Sequence, residues 1–333
     1  MDISAGKLAK RGRKKRMKFA IQDSIKRSLS GEPLQRDEII CMLRLPPHAK
    51  QTYTIMAAAR ELSVQLTGGK AEVHAQFAVN CAPCGCKCMF CSFASINNVF
   101  TKSTQLTIAE VVAAGLRFET DGANAVFVMA TAHFSMGEYL EMARELRRNL
   151  NPQTRMVANV GDQNESIAQS LADAGFCGVY RAVRLREGTD TKIDAQKRLD
   201  SIAAFQAAGL RVGTCVEPVG PDHSSEELAD AILRAASFNP AYSGAARRIA
   251  IPGTEMAKRR MISEMRMAQI VAVTRLATPH SVTGNCTHEP CTLGAAAGAN
   301  LFWAEAGASP RDTQDHTEKR TRKHGLRLPA DLS

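Results

Sequence analysis

Five of the ten cysteines in this 333-residue chain fall within eleven positions, Cys81-Ala-Pro-Cys84-Gly-Cys86-Lys-Cys88-Met-Phe-Cys91. Thiols crowded into one short stretch bury little apolar area, so packing does not account for them. Disulfides, zinc or iron–sulfur chemistry would. Cys84, Cys88 and Cys91 form a C-x3-C-x2-C unit, with Phe90 directly before the last sulfur. Three thiolates on one loop can hold three irons of a [4Fe–4S] cluster and leave the fourth without a protein ligand. An open coordination position marks a catalytic metal, whereas structural sites are closed. A zinc knuckle built on the same thiols is the competing reading.

At 44% hydrophobic residues the chain can bury one large core, as an α/β barrel of ordinary size does. No apolar run approaches a membrane span, and the basic N-terminus lacks the apolar segment of a signal peptide. The expectation is a protein neither membrane-spanning nor secreted. Its cysteines then belong in a reducing compartment, by default the cytoplasm. Much of the +10 net charge lies between Lys7 and Lys18. Such an arm suits an acidic protein, nucleic acid or a membrane surface, or it is a solvated terminus. It carries no interleaved aromatics for base stacking.

The chain divides into a basic arm (1–20), a helical layer (21–70), a strand–helix repeat (71–310) and a C-terminal helix and tail (311–333). Pro46 and Pro47 interrupt the helical layer, and Gly68-Gly69 ends it. Strands are expected at 73–79, 125–129, 155–160, 178–182, 211–216 and 248–251, with a seventh near Cys286. Helices are expected at 107–120, 136–150, 165–174, 193–208, 226–236 and 257–276. Several helices finish in Ala-Gly (Ala174-Gly175, Ala208-Gly209, Ala297-Gly298), where glycine supplies a left-handed cap. Regular βα units of this length imply an α/β fold. The expected form is a TIM-like parallel (βα) barrel, closed or nearly so, with its chemistry at the strand C-termini. The cysteine loop follows the first strand, at that end.

The C-x3-C-x-(aromatic)-C unit in this context resembles the radical S-adenosylmethionine (SAM) superfamily. From about residue 71 to 326 the chain resembles its biotin-synthase-like branch, which also contains the [FeFe]-hydrogenase maturase and methylornithine synthase. The carrying segments are the cysteine loop, Arg198-Leu-Asp-Ser-Ile-Ala-Ala-Phe-Gln-Ala-Ala-Gly-Leu-Arg-Val212, Ile251-Pro-Gly-Thr-Glu255 and Ala297-Gly-Ala-Asn300. The resemblance implies a [4Fe–4S] cluster on Cys84, Cys88 and Cys91 whose fourth iron chelates SAM. One-electron cleavage would give a 5′-deoxyadenosyl radical. It also implies a (βα) barrel of the radical SAM type with an N-terminal helical extension. Phe90, Arg184, Arg186, Glu187 and Glu217 fall near where relatives contact SAM. A reductant such as flavodoxin or ferredoxin would be a partner.

Departures from biotin synthase are informative. The four positions that hold its [2Fe–2S] cluster fall at or near Val128, Val157, Gly213 and Thr283, none a suitable iron ligand. The Asn-His-Asn segment is replaced by Arg181-Ala-Val-Arg184. Unassigned cysteines remain. Cys286-Thr-His-Glu-Pro-Cys291 is a C-x4-C unit; Cys81 and Cys86 flank the first ligands, and Cys215 lies at a strand end. A second iron–sulfur cluster on Cys286 and Cys291, with Cys81, Cys86 or Cys215 added, is the expectation for these. Cys41 and Cys177 are expected to be buried as small hydrophobes. His74, Gln76, His133, Asn159, Glu217 and Arg248 are the polar groups expected at strand ends, with His133, Asn159 and Arg248 as substrate contacts.

Two clusters on such a barrel imply sulfur insertion at unactivated C–H bonds, of the biotin or lipoyl synthase type. Divergent lipoyl synthases acting as a pair of such proteins suggest an acidic carrier domain or a second radical SAM protein as partner. The basic arm would suit the carrier. A carbon-skeleton rearrangement or cofactor maturation without a second cluster is the main enzymatic alternative. A zinc-bound nucleic-acid-binding scaffold is the alternative from another class, although neither nucleic acid nor membrane is an expected partner.

Overall fold

The computed structural model describes residues 21–306. The basic arm (1–20) and the C-terminal helix and tail (311–333) expected from the sequence lie outside the described residues. The described residues open with three helices, α1 (21–29), α2 (Arg36–Leu43) and α3 (Lys50–Thr67). Strands and helices then alternate: β1 (Glu72–Ala78), a two-residue pair β2 (Asn80–Cys81) and β3 (Thr104–Gln105), α4 (Ile108–Thr120), β4 (Ala125–Met129), α5 (Met136–Asn149), β5 (Arg155–Asn159) and α6 (Glu165–Asp173). There follow β6 (Gly178–Tyr180), α7 (Ala195–Ala207), β7 (Arg211–Gly213), β8 (Val216–Val219), α8 (Ser225–Ser237), β9 (Tyr242–Arg247), α9 (Glu264–Ala277), β10 (Gly284–Cys286), α10 (Cys291–Ala296) and β11 (Leu301–Ala306).

The main sheet is parallel and closes on itself. β1, β4, β5, β6 and β7 pair in turn, β7 and β8 both pair with β9, and β9, β10 and β11 return to β1. β7 and β8 are two segments of one rail, so the barrel has eight staves. The two-residue period of a strand sorts its side chains. On β1, Ala75 and Phe77 pack outward among the helices, while His74 and Gln76 face inward. Val128 also faces the helices, so its inward neighbours Phe127 and Met129, not Val128 itself, occupy that stave of the interior.

Helix starts and stops follow local chemistry. Thr107 with Glu110 and Ser224 with Glu227 form capping boxes at α4 and α8. Gly175, Gly209 and Gly298 all have positive φ, as the Ala-Gly endings require. At Gly298 space matters too, since a Cβ would lie 2.6 Å from the Ala59 carbonyl oxygen of α3. From Met267 to Ala277 every residue of α9 is buried, because it runs between the barrel and the N-terminal helices. Gln269 donates to the Met42 and Leu45 carbonyls (2.8 and 3.1 Å), binding the helical layer to the barrel wall.

Two expected elements moved. The sixth stave is Tyr242–Arg247, ahead of the expected 248–251. Its Ser-Gly-Ala-Ala run has little intrinsic strand preference, and the sheet imposes the conformation. Gly244 is needed there, because a Cβ would meet the backbone of Cys286 on the next strand at 2.1 Å. The helix expected at 257–276 begins at Glu264, after a short 3-10 turn at Glu255–Lys258. No helix among the described residues is long and apolar enough to cross a membrane.

Candidate active site at the barrel mouth

A cavity of about 190 Å³ opens at the C-terminal ends of the strands. Cys84, Cys86, Cys88 and Cys91 line one side. Gln76, Asn159, Asp162, Tyr180, Arg181, Arg184, Arg198, Glu217, His288, Trp303 and Glu305 line the remainder.

The cysteine loop is held by its own backbone and by two other barrel loops. The Cys84 N–H donates to the Phe93 carbonyl (2.7 Å), and the Ser95 N–H donates to Cys84 (2.9 Å). Asn97 donates through Nδ2 to the Cys91 carbonyl (2.8 Å) and the Cys88 carbonyl (3.2 Å), and accepts the Glu255 N–H at Oδ1 (3.0 Å). The segment after β6 contributes two bonds: Met89 N–H to the Asp190 carbonyl and Lys192 N–H to the Cys86 carbonyl, both 3.0 Å. Beneath the loop Cys81, Phe93, Phe100 and Met129 form a small apolar cluster, with the two phenylalanine rings 5.1 Å apart. Replacing any of these would loosen the loop through packing.

The four thiols are electrostatically unequal. A hydrogen bond from Cys86 holds the Cys84 thiol down at about 6, and the same bond pushes the Cys86 thiol up. Loss of water around the sulfur pushes Cys88 up to about 11 and Cys91 up to about 12, against the pull of Arg184. Facing them is a network of buried charges. Arg184 pairs with Glu217 (3.4 Å), and Arg198 bridges Asp162 and Glu187 (both 3.4 Å). Burial opposes the charge on Arg184, and Glu217 and Glu187 outweigh it and raise its pKa. Arg181 is drawn down to about 9 by burial; it lies 3.7 Å from Asp162 and donates to the Gly161 carbonyl. Tyr180 and Trp303 line the cavity, and their Oη and Nε1 are buried without a hydrogen-bond partner among the described residues. Trp303 stacks on His288 (5.2 Å, 3°) and meets the edges of His74, Phe127 and Tyr242, forming an aromatic floor.

The residues singled out from the sequence divide sharply. Cys84, Cys86, Cys88, Cys91, Asn159, Arg184 and Glu217 line the cavity. Asn159 donates to Gln76 (2.7 Å). His133 sits at its rim, with a ring nitrogen within 4.8 Å of the Cys84 and Cys86 sulfurs. Phe90 is half-buried on the loop and outside the cavity lining. Glu187 lies behind the wall, accepting from Thr191 (2.8 Å) and pairing with Arg198. Arg186 turns away from the cavity to Glu227 (2.7 Å) and Asp222 (3.1 Å). Arg248 lies outside the cavity lining: it is buried and bound to Asp222, with Gly220 leaving room for its guanidinium. His74 belongs to the floor, paired with Glu72 (2.8 Å), instead of a strand C-terminus. Asp190, Asp222 and His223 also approach within 4.8 Å of one another. Arg186, Arg248 and Arg259 already satisfy Asp222 there, making an ion-pair hub and no cation site.

Cys286 and Cys291, expected to hold a second cluster, pack in different hydrophobic clusters. Cys286 ends β10 and packs inside the barrel, 3.9 Å from the Cys215 sulfur. Cys291 begins α10, packs in the helical layer and contacts the His288 carbonyl (3.0 Å). The barrel wall lies between the two sulfurs. Cys81 is a core residue under the loop. Cys41 and Cys177, expected to be buried, are both exposed. Sequence reasoning missed Tyr180, Trp303, Arg198 and Asp162. Strand alternation could have found the first two; Arg198 opens a segment that carries the resemblance and could have been found from it, whereas Asp162 lies in a loop that bears no motif.

No family profile matches the chain, and no curated protein sequence matches it. Solved structures do. A maturase of the [FeFe]-hydrogenase, HydG, superposes with a TM-score of 0.78 at 16% identity, covering 95% of this chain and 74% of that one. Methylornithine synthase (PylB) gives 0.74 at 14% identity, covering 93% and 98%. HydG from Carboxydothermus hydrogenoformans gives 0.73 at 16%, covering 95% and 80%. The fold of this chain is the closed parallel (βα) barrel that it shares with these structures.

Proposed function

We propose that the chain is a radical SAM enzyme that abstracts hydrogen from a small polar substrate held inside the barrel. The observation that carries this is the convergence of Cys84, Cys88 and Cys91 on one cavity, at the catalytic end of a closed parallel barrel, opposite unpartnered polar groups. The donor set fits the group it implies: Cys84, Cys88 and Cys91 present three thiolates to one cavity, as iron–sulfur chemistry requires, and His133, whose nitrogen approaches Cys84 and Cys86, lies outside the cavity lining. A [4Fe–4S] cluster with SAM would supply one-electron cleavage to a 5′-deoxyadenosyl radical.

The chain's own residues then bind, orient and exclude water. Arg184 and Glu217, paired beside the thiols, offer one cation and one anion to an amino-acid moiety such as that of SAM. Tyr180 Oη and Trp303 Nε1 offer donors to the substrate, and the Asn159–Gln76 pair offers a further donor and acceptor. The closed barrel and the aromatic floor keep water from a radical. A rearrangement or fragmentation on one cluster fits these residues better than sulfur insertion, a reading supported by the packing of Cys286 and Cys291 in different hydrophobic clusters.

The test is anaerobic reconstitution and reduction with dithionite. SAM should be cleaved to 5′-deoxyadenosine, and alanine at Cys84, Cys88 or Cys91 should lower cleavage to background. Zinc in place of iron, or cleavage that survives all three changes, refutes the proposal.

A further inference from the structure

Cys86 is the one cysteine of the loop that the three-thiolate reading leaves unused while it still faces the cavity. Cys81, by contrast, is sunk in the apolar cluster below. The Cys86 sulfur, the Cys84 sulfur and a His133 nitrogen lie within 4.8 Å of one another. The backbone fixes this placement. Lys192 N–H binds the Cys86 carbonyl, and Gly85 leaves room for His133, whose Nε2 a Cβ would approach to 2.9 Å. Four thiols of one loop therefore line a cavity where the cluster needs three.

We infer that Cys86 is a resident fourth thiolate, which ligates the open iron when SAM is absent and is displaced when SAM binds. This rests on the proposed function above and extends it. In the exchange the iron–sulfur bond to Cys86 breaks and bonds from the amino nitrogen and carboxylate oxygen of SAM form. The released thiolate takes a proton from solvent and no electron moves. Thiolate is a better iron ligand than water, so the capped state dominates without SAM. SAM wins by supplying two donor atoms on one molecule. The device keeps the fourth iron from dissociating or meeting oxidants between turnovers. It also lowers apparent SAM affinity by the fraction of protein that is capped.

The experiment compares full-length wild type, Cys86→Ala, Cys86→Ser and His133→Ala, reconstituted with Mössbauer-active iron and measured with and without SAM. Iron content and circular dichroism establish that each variant is folded and loaded. Wild type without SAM should show four irons of similar sulfur coordination, one of which changes on adding SAM. Cys86→Ala should show a distinct fourth iron before SAM is added. On brief exposure to air without SAM it should lose that iron severalfold faster. Its dissociation constant for SAM should fall about threefold to tenfold. Identical SAM-free spectra of wild type and both Cys86 variants overturn the inference and leave the proposed function standing. So does a spectral change confined to His133→Ala. Wild type that assembles no cluster overturns both.

Discussion

The loop after β1 and the segment joining β10 to α10 both carry closely spaced cysteines, yet the fold treats them oppositely. In the loop, residues 84 to 91 form no strand or helix, and hydrogen bonds from the Asn97 side chain and Lys192 N–H, with one to the Asp190 carbonyl, hold four cysteines along one cavity. In the second segment, Cys286 is the last residue of a strand and Cys291 the first of a helix. A strand end points its side chain by the pleat and a helix start by the helix face, so one sulfur enters the barrel and the other leaves it. Spacing alone does not make a ligand set; the backbone between the residues decides.

Thiol labelling gives the widest separation between these environments. In native protein without metal, the exposed Cys41 and Cys177 and the half-buried Cys84, whose thiol is held down at about 6, should react readily with a maleimide. Cys286 and Cys291 should react only on global unfolding. Mass spectrometry of digests reads the order. Prompt native labelling of Cys291 would mean that the helical layer opens, and would weaken the contrast.

The buried charges behind the loop predict a smaller but substantial effect. Arg198 is 2% exposed and bridges Asp162 and Glu187, so Arg198→Met removes one buried cation from two carboxylates, leaving Asp162 only Arg181 at 3.7 Å and Glu187 only hydrogen bonds such as that from Thr191. The expected loss is about 3–5 kcal/mol in urea unfolding. Restoring charge with lysine should recover only part of it, since lysine cannot fork between two partners. A loss within error would mean that water compensates the network.

The weakest effect lies at the ion-pair hub outside the cavity. The Arg186 guanidinium holds the Glu227 carboxyl down at about 2, below its ordinary value of 4.5. A depressed carboxylate stabilises the fold above its unfolded pKa and loses that contribution as pH falls through the folded value. Stability should therefore decline between about pH 4.5 and pH 2, by under about 1 kcal/mol for so exposed a pair. Arg186→Met should flatten that part of the pH profile of the urea midpoint. An unchanged slope would assign it to other carboxylates.

The contrast also marks how far the sequence could be read. Alternation of strand and helix, the Ala-Gly helix ends and the position of the cysteine loop were legible because each depends on residues within one turn or one strand. The sixth stave was misplaced because Ser243, Gly244, Ala245 and Ala246 have no strand preference of their own and are held by neighbours on both sides. The C-x4-C unit misled for a related reason, since its two sulfurs diverge only once a strand and a helix have formed around them. Arg248 was expected in the site as a charged residue near a strand end. Its Asp222 partner, 26 residues away in sequence, captures it instead. Tyr180 and Trp303 were reachable from period two, had the register of β6 and β11 been known.

Iron and acid-labile sulfide per chain, after anaerobic reconstitution, test the central claim most directly. The proteins compared are wild type, Cys84/Cys88/Cys91 changed together to alanine, and Cys286/Cys291 changed together to alanine. One cluster on the first loop alone predicts about four irons in wild type, none in the triple variant and about four in the double variant. Four irons retained by the triple variant, or iron lost from the double variant, would contradict it.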